Sequence, residues 1–492
     1  MRDAAARNHP ELIHLKQNEK NPAQSRRSQA PASKLLEGFE VSGISQAAIE
    51  FSSSPPNGEL TTFYRSLAPS RDRAEGSAIP LAGKTVVIVH PAWHSCGTHQ
   101  VVVSQLAAYK SLGARTISIA VMDNLLPAPD QGARWSEYVS HTVDLGADRR
   151  FYTGPTFSNL AKTSLLRDGW WPLIHGDQAT WLIELSKRAV APAGLEKETI
   201  DFIHANHYFT MPLVEKIRAG KRIPTILDTH DIQAQQYALR NRDGFFIPPC
   251  ATLEQMLTIE LEWMRRADIC IHLNQDERAF FLRLLPEIRH ALIHPAVPPA
   301  TRCIGGANIV IVASNNSANY HSLRWFLESV APFAPDVPIS ILGNVDAAFR
   351  KLDRALYKAN RDRFKGRVDD IADVYAEAAC VLLPTIEGHG LSIKAVEALS
   401  SGAPIIATSQ AFRGIHFDPS ELRNLTIADT AADFAAAVRD VEVRPQRLSA
   451  RRVESDTHRF YAAAFSSTQY ANRLGALACG LISREMRKVE TK

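Results

Sequence analysis

Residues 381–408 have the sequence VLLPTIEGHGLSIKAVEALSSGAPIIAT. The apolar run at residues 381–383 predicts a buried strand, and the run at 405–408 predicts a second one. Between them, apolar residues recur at positions 393, 396 and 399, which is helical spacing, and Gly402 is suited to ending that helix. The stretch therefore predicts a βαβ unit, with a glycine loop joining its first strand to its helix.

The glycine loop and the helix start carry the polar residues of this unit. Gly388 and Gly390 predict a tight turn, and Lys394 and Glu397 lie one helical turn apart, so their side chains share a face. Backbone N–H groups and the positive end of the helix dipole could hold a phosphate there. The alternative is an ordinary turn followed by a surface Lys–Glu pair.

The composition excludes several classes of protein. A chain of 492 residues is too long for one core and predicts two or three domains. Its net charge of +4 is too small to indicate a nucleic-acid partner. No apolar run approaches the ~18 residues of a membrane span, and the N-terminus lacks the apolar centre of a secretory signal. The six cysteines have no metal-ligand spacing. We therefore expect a cytoplasmic protein without a metal site.

Residues 1–82 are expected to form an N-terminal extension that is partly disordered, because their first part is polar and has no periodic apolar face. The extension is basic, and a solvated tail is the simplest explanation for that. Peripheral attraction to the inner face of a membrane is the alternative.

Residues 83–298 predict a first α/β domain. The β-branched run Thr85–Val89 is typical of a buried parallel strand, and the loop after it contains Gly97 and Thr98. A helix ending near Gly113 and a further strand complete a βαβ unit. This first loop has no G-x-G-x-x-G pattern, which argues against dinucleotide binding.

Polar clusters follow three later strands of this domain. Strands at residues 200–203, 224–228 and 268–273 lead to the clusters His204–His207, Thr229–Asp231 and Asn274–Glu277. Because the carboxyl ends of parallel strands share one edge, we expect these clusters to meet on one rim of the sheet. Each histidine could equally be an ordinary buried one.

Residues 294–299, HPAVPP, predict an inter-domain linker. A second strand series follows within residues 299–448, and residues 449–492 show helical spacing. The predicted fold class is therefore α/β, with two Rossmann-like domains facing each other across a cleft.

Three motifs of the second domain resemble those of GT-B glycosyltransferases, most closely glycosyltransferase family 4. The first is Ser314–Asn319 with the helix after it, the second is Gly366–Ile371, and the third runs from Gly388 through Thr408. The resemblance covers residues 300–420 well and residues 84–300 in layout more than in sequence.

The resemblance implies how a nucleotide-sugar donor would bind. Glu397 would accept hydrogen bonds from the ribose hydroxyls, and Lys394 with neighbouring N–H groups would stabilise the diphosphate, with Arg324 or Arg413 as helpers. The full set of expected donor-binding residues is Gly97, Arg324, Gly388, Gly390, Leu391, Lys394 and Glu397.

The resemblance also implies residues near the reacting sugar. Many family members have a glutamate eight positions before the ribose-binding one, and this chain has His389 there, with Glu387 two residues earlier. Either residue could meet the donor sugar. On the opposite rim, His207 and then His230 are the expected contacts. The predicted catalytic set is thus His207, His230, Glu387 and His389.

The implied activity is transfer of a sugar from a nucleotide-diphosphate sugar to a hydroxyl of a saccharide or lipid-linked acceptor. The family resemblance also implies that the anomeric configuration is retained and that the protein has a role in polysaccharide or glycolipid assembly. The donor is a substrate, so no cofactor is expected. A nucleotide-sugar 2-epimerase and a non-catalytic scaffold of the same fold are the alternatives.

Overall fold

A computed structural model describes residues 80–93, 97–121, 146–153, 170–175, 180–242, 248–299, 306, 308–368, 370–388, 390–443 and 454–490. The expectations for residues 1–79, for most of 124–181 and for His389 therefore lie outside the described residues. The described part of the chain is organised around two parallel β-sheets.

The first sheet has seven strands in the spatial order β3-β2-β1-β4-β5-β6-β7. All six neighbouring pairs are parallel. The strands are β1 Thr85–Pro91, β2 Arg115–Val121, β3 Arg149–Thr153, β4 Phe202–Asn206, β5 Thr225–Asp228, β6 Ile269–His272 and β7 His290–Leu292.

Helices connect these strands and cover both faces of the sheet. The helices are α1 Gly97–Ser111, α2 Trp171–His175, α3 Trp181–Arg188, α4 Met211–Arg218, α5 Gln233–Arg242, α6 Leu253–Met264 and α7 Gln275–Leu284. Every residue of β1 is buried, as its β-branched sequence predicts for a central parallel strand. The chain order reverses between β1 and β4, so the loops after these two strands flank the crevice where ligands bind in such sheets.

The second sheet has six strands in the order β10-β9-β8-β11-β12-β13, again all parallel. The strands are β8 Asn308–Val312, β9 Ile339–Leu342, β10 Phe364–Gly366, β11 Ala378–Leu383, β12 Ile405–Ala407 and β13 Leu425–Ile427. Here the reversal falls between β8 and β11. The loops after these two strands carry two of the three motifs found in the sequence.

The helices of the second domain and the C-terminal segment complete the architecture. They are α8 Ser317–Trp325, α9 Asp346–Leu352, α10 Arg354–Ala359, α11 Ile371–Glu377, α12 Ile393–Ser401, α13 Ala431–Val443, α14 Asp456–Ala464 and α15 Ser467–Glu490. Helix α8 continues as a π-helical turn, Phe326–Val330.

The C-terminal helix α15 returns to the first domain. Its apolar residues Tyr470, Leu474 and Ala478 share a buried core with Leu106 and Tyr109 of α1. The sequence predicted the helical character of this segment, but not that it closes the core of the domain formed by the first half of the chain.

The predicted fold class, α/β with two Rossmann-like domains, is confirmed. One strand boundary was wrong: the strand expected at 200–203 is Phe202–Asn206. His204 therefore lies inside β4 rather than after it. It is fully buried, and its Nδ1 contacts the hydroxyl of Tyr109 at 2.9 Å, so it does not reach the rim.

Candidate functional site

The glycine loop after β11 adopts a backbone that only glycine accepts easily. Gly388 has φ +142° and Gly390 has φ +64°. A Cβ atom at Gly388 would lie 2.9 Å from Nη2 of Arg413, so the guanidinium packs directly against the loop. Among the described residues, a Cβ atom at Gly390 would meet a single atom within 4 Å, Oε1 of Glu277 at 4.0 Å. Apart from that oxygen and the neighbours of Gly390 in the chain, the described residues leave this position open.

Helix α12 starts immediately after this loop and is capped at both ends. The hydroxyl of Ser392 accepts a hydrogen bond from the backbone N–H of Ala395 at 3.3 Å. Gly402 ends the helix in the left-handed conformation with φ +66°, as predicted from the sequence. The caps fix where the helix begins, and so fix the direction of the N–H groups at its start.

Lys394 is half-buried on the first turn of α12. Its Nζ donates a 2.6 Å hydrogen bond to Oδ1 of Asn319 on α8. Burial lowers the pKa of Lys394 from 10.5 to about 8, with Glu397 acting to raise it and Arg413 to lower it further. A cation held by one neutral amide and beside another cation is well placed to receive an anionic group.

Glu397 lies one turn further along α12 and interacts with the charge of Lys394. Burial raises the pKa of Glu397 from its ordinary value, while the hydroxyl of Tyr375 and the charge of Lys394 oppose that shift. Tyr375, on α11, is only 1% exposed. The sequence motif predicted the Lys–Glu pair, but nothing in it indicated that Tyr375 would lie behind the carboxylate.

Helix α8 holds the glycine loop from the other side. Besides Asn319, it contributes Ser322, whose Oγ accepts a hydrogen bond from the backbone N–H of Ile386 at 3.2 Å. His321 Nδ1 contacts Oε1 of Glu387 at 2.7 Å, and both side chains are about half exposed. Glu387 is thus oriented by α8 at the loop, and its assignment as a sugar contact stays a prediction.

Arg324 is directed to other partners. Its Nε donates to Oε1 of Glu328 at 2.9 Å and lies 3.9 Å from Asp353. The residue of α8 that contacts Lys394 is Asn319, five residues earlier. The structure therefore does not bring Arg324 together with the Lys394–Glu397 pair, whereas Arg413, the other expected helper, packs on Gly388.

In the first domain, His207 and His230 stack at the carboxyl ends of β4 and β5. Their ring centroids are 4.1 Å apart with an angle of 13° between the planes. Both residues have φ +64°, which is unfavourable for any residue with a side chain. Strained backbone of this kind is concentrated at functional sites. The structure thus brings together the two histidines that the sequence predicted for this rim.

Each histidine has a defined hydrogen bond. His207 Nε2 lies 2.9 Å from the hydroxyl of Thr98, in the first turn of α1 next to the predicted contact Gly97. His230 Nε2 lies 2.8 Å from Oδ1 of Asn206. Burial lowers the pKa of His207 well below 6.5 and that of His230 to about 3, so both rings are neutral at pH 7.

A buried polar network supports this rim from below. Gln105 Nε2 donates to Oδ1 of Asn206 at 2.9 Å and to Oδ2 of Asp228 at 3.1 Å. Asp228 also accepts the backbone N–H of His230 at 3.2 Å. Burial raises the pKa of Asp228 to about 7. This network was not predicted, because Gln105 lies in the middle of a helix where its sequence context gives no signal.

The two domains meet next to the glycine loop. The backbone N–H of Gln275 donates to the carbonyl of Gly414 at 3.1 Å, and His416 Nε2 contacts Oδ1 of Asp276 at 2.7 Å. A Cβ atom at Gly414 would lie 2.6 Å from Cβ of Asn274, so only glycine permits this approach. The polar cluster predicted at residues 274–277 therefore contacts the second domain directly.

Comparisons with known proteins agree with this geometry. Residues 306–442 match the family model described as Glycosyl transferases group 1. These residues therefore match a family of glycosyltransferases, and the chain has the GT-B fold. Sucrose-phosphate synthase from Thermosynechococcus elongatus is similar in structure, with a TM-score of 0.55 at 16% identity over 82% of this chain and 100% of that one. A comparison with curated protein sequences gave no match.

Two further structures share the fold of this chain at low identity. HepE from Anabaena, solved in complex with UDP-glucose, has a TM-score of 0.51 and 12% identity over 82% of this chain and 99% of its own. The UDP-forming trehalose-phosphate synthase from Burkholderia vietnamiensis has a TM-score of 0.50 and 12% identity over 82% and 98%. The resemblance stated from sequence motifs is thereby confirmed.

Proposed function

We propose that this chain is a glycosyltransferase, which takes its sugar from a nucleotide-diphosphate sugar bound at the start of α12 and transfers it to a hydroxyl group. The observation that carries the proposal is the pair of half-buried, oppositely charged residues Lys394 and Glu397 behind an open glycine loop. The solved relative HepE was crystallised with UDP-glucose, which supports the same class of donor here.

In this proposal each part of the donor has a partner. Glu397 accepts hydrogen bonds from the two ribose hydroxyls, since a carboxylate can accept both at once. The diphosphate lies against Lys394 and the N–H groups from Gly390 to Ser392, where the positive end of α12 adds to the attraction. Charge that develops on the diphosphate as the sugar leaves is stabilised by the same groups.

The first domain supplies the opposite wall of the site. His207 and His230 are neutral, stacked and held by the Thr98 and Asn206 hydrogen bonds, which suits them to contact sugar or acceptor hydroxyls. We assign the acceptor, a saccharide or a lipid-linked sugar, to this side. Retention of configuration fits such a site, because leaving-group stabilisation then carries most of the catalysis and no side-chain base is needed.

We place the enzyme in polysaccharide or glycolipid assembly at the cytoplasmic side of a membrane, on the family resemblance alone. No helix within the described residues is long and apolar enough to cross a membrane. The donor is a substrate in this scheme, and the proposed reaction uses no resident cofactor.

The test begins with a thermal-shift screen of nucleotide sugars, which reports the base and the sugar together. Transfer is then measured with the donor that stabilises the protein most. We expect Glu397→Ala to lose donor binding while its melting temperature without ligand stays close to that of the wild type. Unchanged donor affinity and turnover in that variant would show that the site is elsewhere.

Two controls separate the remaining alternatives. Incubation with the nucleotide sugar alone should leave the sugar unchanged, whereas a 2-epimerase would convert it without an acceptor. Calorimetry with UDP and GDP should show that one of them binds. A protein that binds neither would contradict the proposed donor site.

A further inference from the structure

Glu277 is a buried acidic side chain of the first domain that points towards the second. It lies in the first turn of α7, where its backbone N–H donates to Oδ1 of Asn274 at 2.9 Å. The same turn docks on the second domain through Gln275 and Asp276. The position of Glu277 is therefore fixed by both domains.

The carboxyl group faces the open space of the glycine loop. Oε1 of Glu277 is the single atom of the described part of the chain that a Cβ at Gly390 would meet within 4 Å. Glu277 is 5% exposed, and its Oε2 has no hydrogen-bond partner among the described residues. A group lying over Gly390 would contact this carboxyl directly.

The electrostatic surroundings of Glu277 are mostly unfavourable to its charge. Burial and the nearby carboxylates of Asp231, Asp276 and Glu260 raise the pKa of Glu277 well above its ordinary value. A hydrogen bond with the side chain of Asn274 acts to lower this pKa but does not outweigh them. Glu277 in turn acts to raise the pKa of Arg413, an effect that burial outweighs. The shift at Glu277 favours its protonated form, which can both donate and accept a hydrogen bond, and the charged form can accept one.

An unsatisfied buried carboxyl oxygen costs stability. Such groups at the edge of a binding site are candidates for ligand contacts, because a ligand can supply the missing partners. Glu277 combines an Oε2 atom that has no partner among the described residues with a position above Gly390, which the proposed donor would cover.

We propose that Glu277 hydrogen-bonds hydroxyl groups of the sugar that is transferred, and so helps to select it. The inference rests on the proposed function: if the diphosphate lies at the start of α12, the attached sugar lies beside Gly390 and within reach of Glu277. The sugar of the donor would then be held by a residue of the first domain and its nucleotide by residues of the second.

The rival explanation is that Glu277 only joins the domains through its electrostatic interaction with Arg413. The two explanations differ in what they predict for the nucleotide. If Glu277 contacts the sugar, its substitution weakens the binding of nucleotide sugars and leaves the affinity for the nucleoside diphosphate unchanged. A domain-joining contact affects both ligands equally, because both bind at the same junction.

The test compares the affinities for UDP and UDP-glucose, and for GDP and GDP-mannose, by calorimetry in the wild type, Glu277→Gln and Glu277→Ala. We expect both variants to bind the diphosphate within about twofold of the wild type. Affinity for the nucleotide sugar should fall roughly tenfold in Glu277→Ala, as expected for the loss of a hydrogen-bonding group, and less in Glu277→Gln. The matched control is Glu262→Gln, which changes an exposed residue of α6 that pairs with Arg266. It should change neither affinity.

Equal weakening of both ligands, or no change in either, would overturn the inference. In both of these cases the wild type binds nucleotide, so the proposed function stands without it. A wild type that binds neither diphosphate nor nucleotide sugar would overturn the proposed function and the inference together. The melting temperature of each variant confirms that it is folded.

Discussion

Raising the pH from 7 to 9 should remove the positive charge of Lys394 and weaken donor binding. Burial lowers the pKa of Lys394 to about 8, so the ammonium form is present below this pH and is lost above it. With that pKa, about nine-tenths of the side chains are charged at pH 7 and about one-tenth at pH 9. The part of binding that depends on the charge should therefore fall about tenfold over this range.

The loss of affinity in each molecule whose Lys394 is uncharged follows from the strength of a charged hydrogen bond. A hydrogen bond from a cation to a phosphate contributes about 1.5–3 kcal/mol, or roughly 10- to 150-fold in affinity. The uncharged fraction then contributes little to binding, and kcat/KM for the donor should decline by about tenfold between pH 7 and pH 9, with most of the decline above pH 8. A nucleotide-sugar donor is the right probe, because its phosphates do not titrate above pH 7.

Lys394→Arg is the informative variant, because a guanidinium stays charged over this whole range. We expect it to abolish the decline above pH 8, even if its affinity at pH 7 is reduced by its different shape. Lys358→Arg, an exposed residue of α10, is the control and should keep the wild-type profile. A wild-type profile that is flat to pH 9.5, or a decline that persists in Lys394→Arg, would refute this assignment.

Two further predictions test the fold beneath the site. Gly343→Ala should lower the free energy of unfolding by at least about 3 kcal/mol, because its Cβ would lie 2.1 Å from the carbonyl oxygen of Ala313 at φ +112°. Gly366→Ala is the comparison: Gly366 has φ +77°, and an added Cβ would have no atom of the described residues within 4 Å. Chemical denaturation should therefore show a loss of only about 1 kcal/mol in this variant. Equal losses in Gly343→Ala and Gly366→Ala would contradict the clash. Thr98→Val removes the hydroxyl beside Nε2 of His207, and we expect about 1–2 kcal/mol of lost stability together with lower turnover. Unchanged stability and turnover in Thr98→Val would show that this hydrogen bond does not hold the ring.

The fold class could be predicted from the sequence because local pattern and global topology agree here. Val86–Val89 of β1 and Ile309–Ile311 of β8 are apolar and buried, as expected for strands that a parallel sheet buries on both faces. Gly402 ends α12 as its sequence position predicts. In contrast, the boundary of β4 was misplaced, because its sequence contains the polar residues His204 and Asn206. Both are paired inside the network below the rim, which a sequence pattern cannot show.

The candidate site was predicted where its residues are close together in the chain and missed where they are not. Lys394 and Glu397 share one helix, and their spacing is visible in the sequence. Tyr375 and Glu277 approach the same site from other elements, and only the assembled domains bring them there. Arg324 shows the opposite error: its position on α8 is close to the site in the chain, but Glu328 on the next turn binds its side chain.

The central claim is that Glu397 binds the ribose of the donor. Its most direct test is the affinity of the wild type and of Glu397→Ala for UDP and 2′-deoxy-UDP, or for the guanine pair if GDP binds more tightly. The wild type should prefer the ribonucleotide by about tenfold, as expected for a hydrogen bond to a charged group, and Glu397→Ala should bind both forms equally and weakly. A preference for the ribonucleotide that survives in a folded Glu397→Ala protein would contradict the claim.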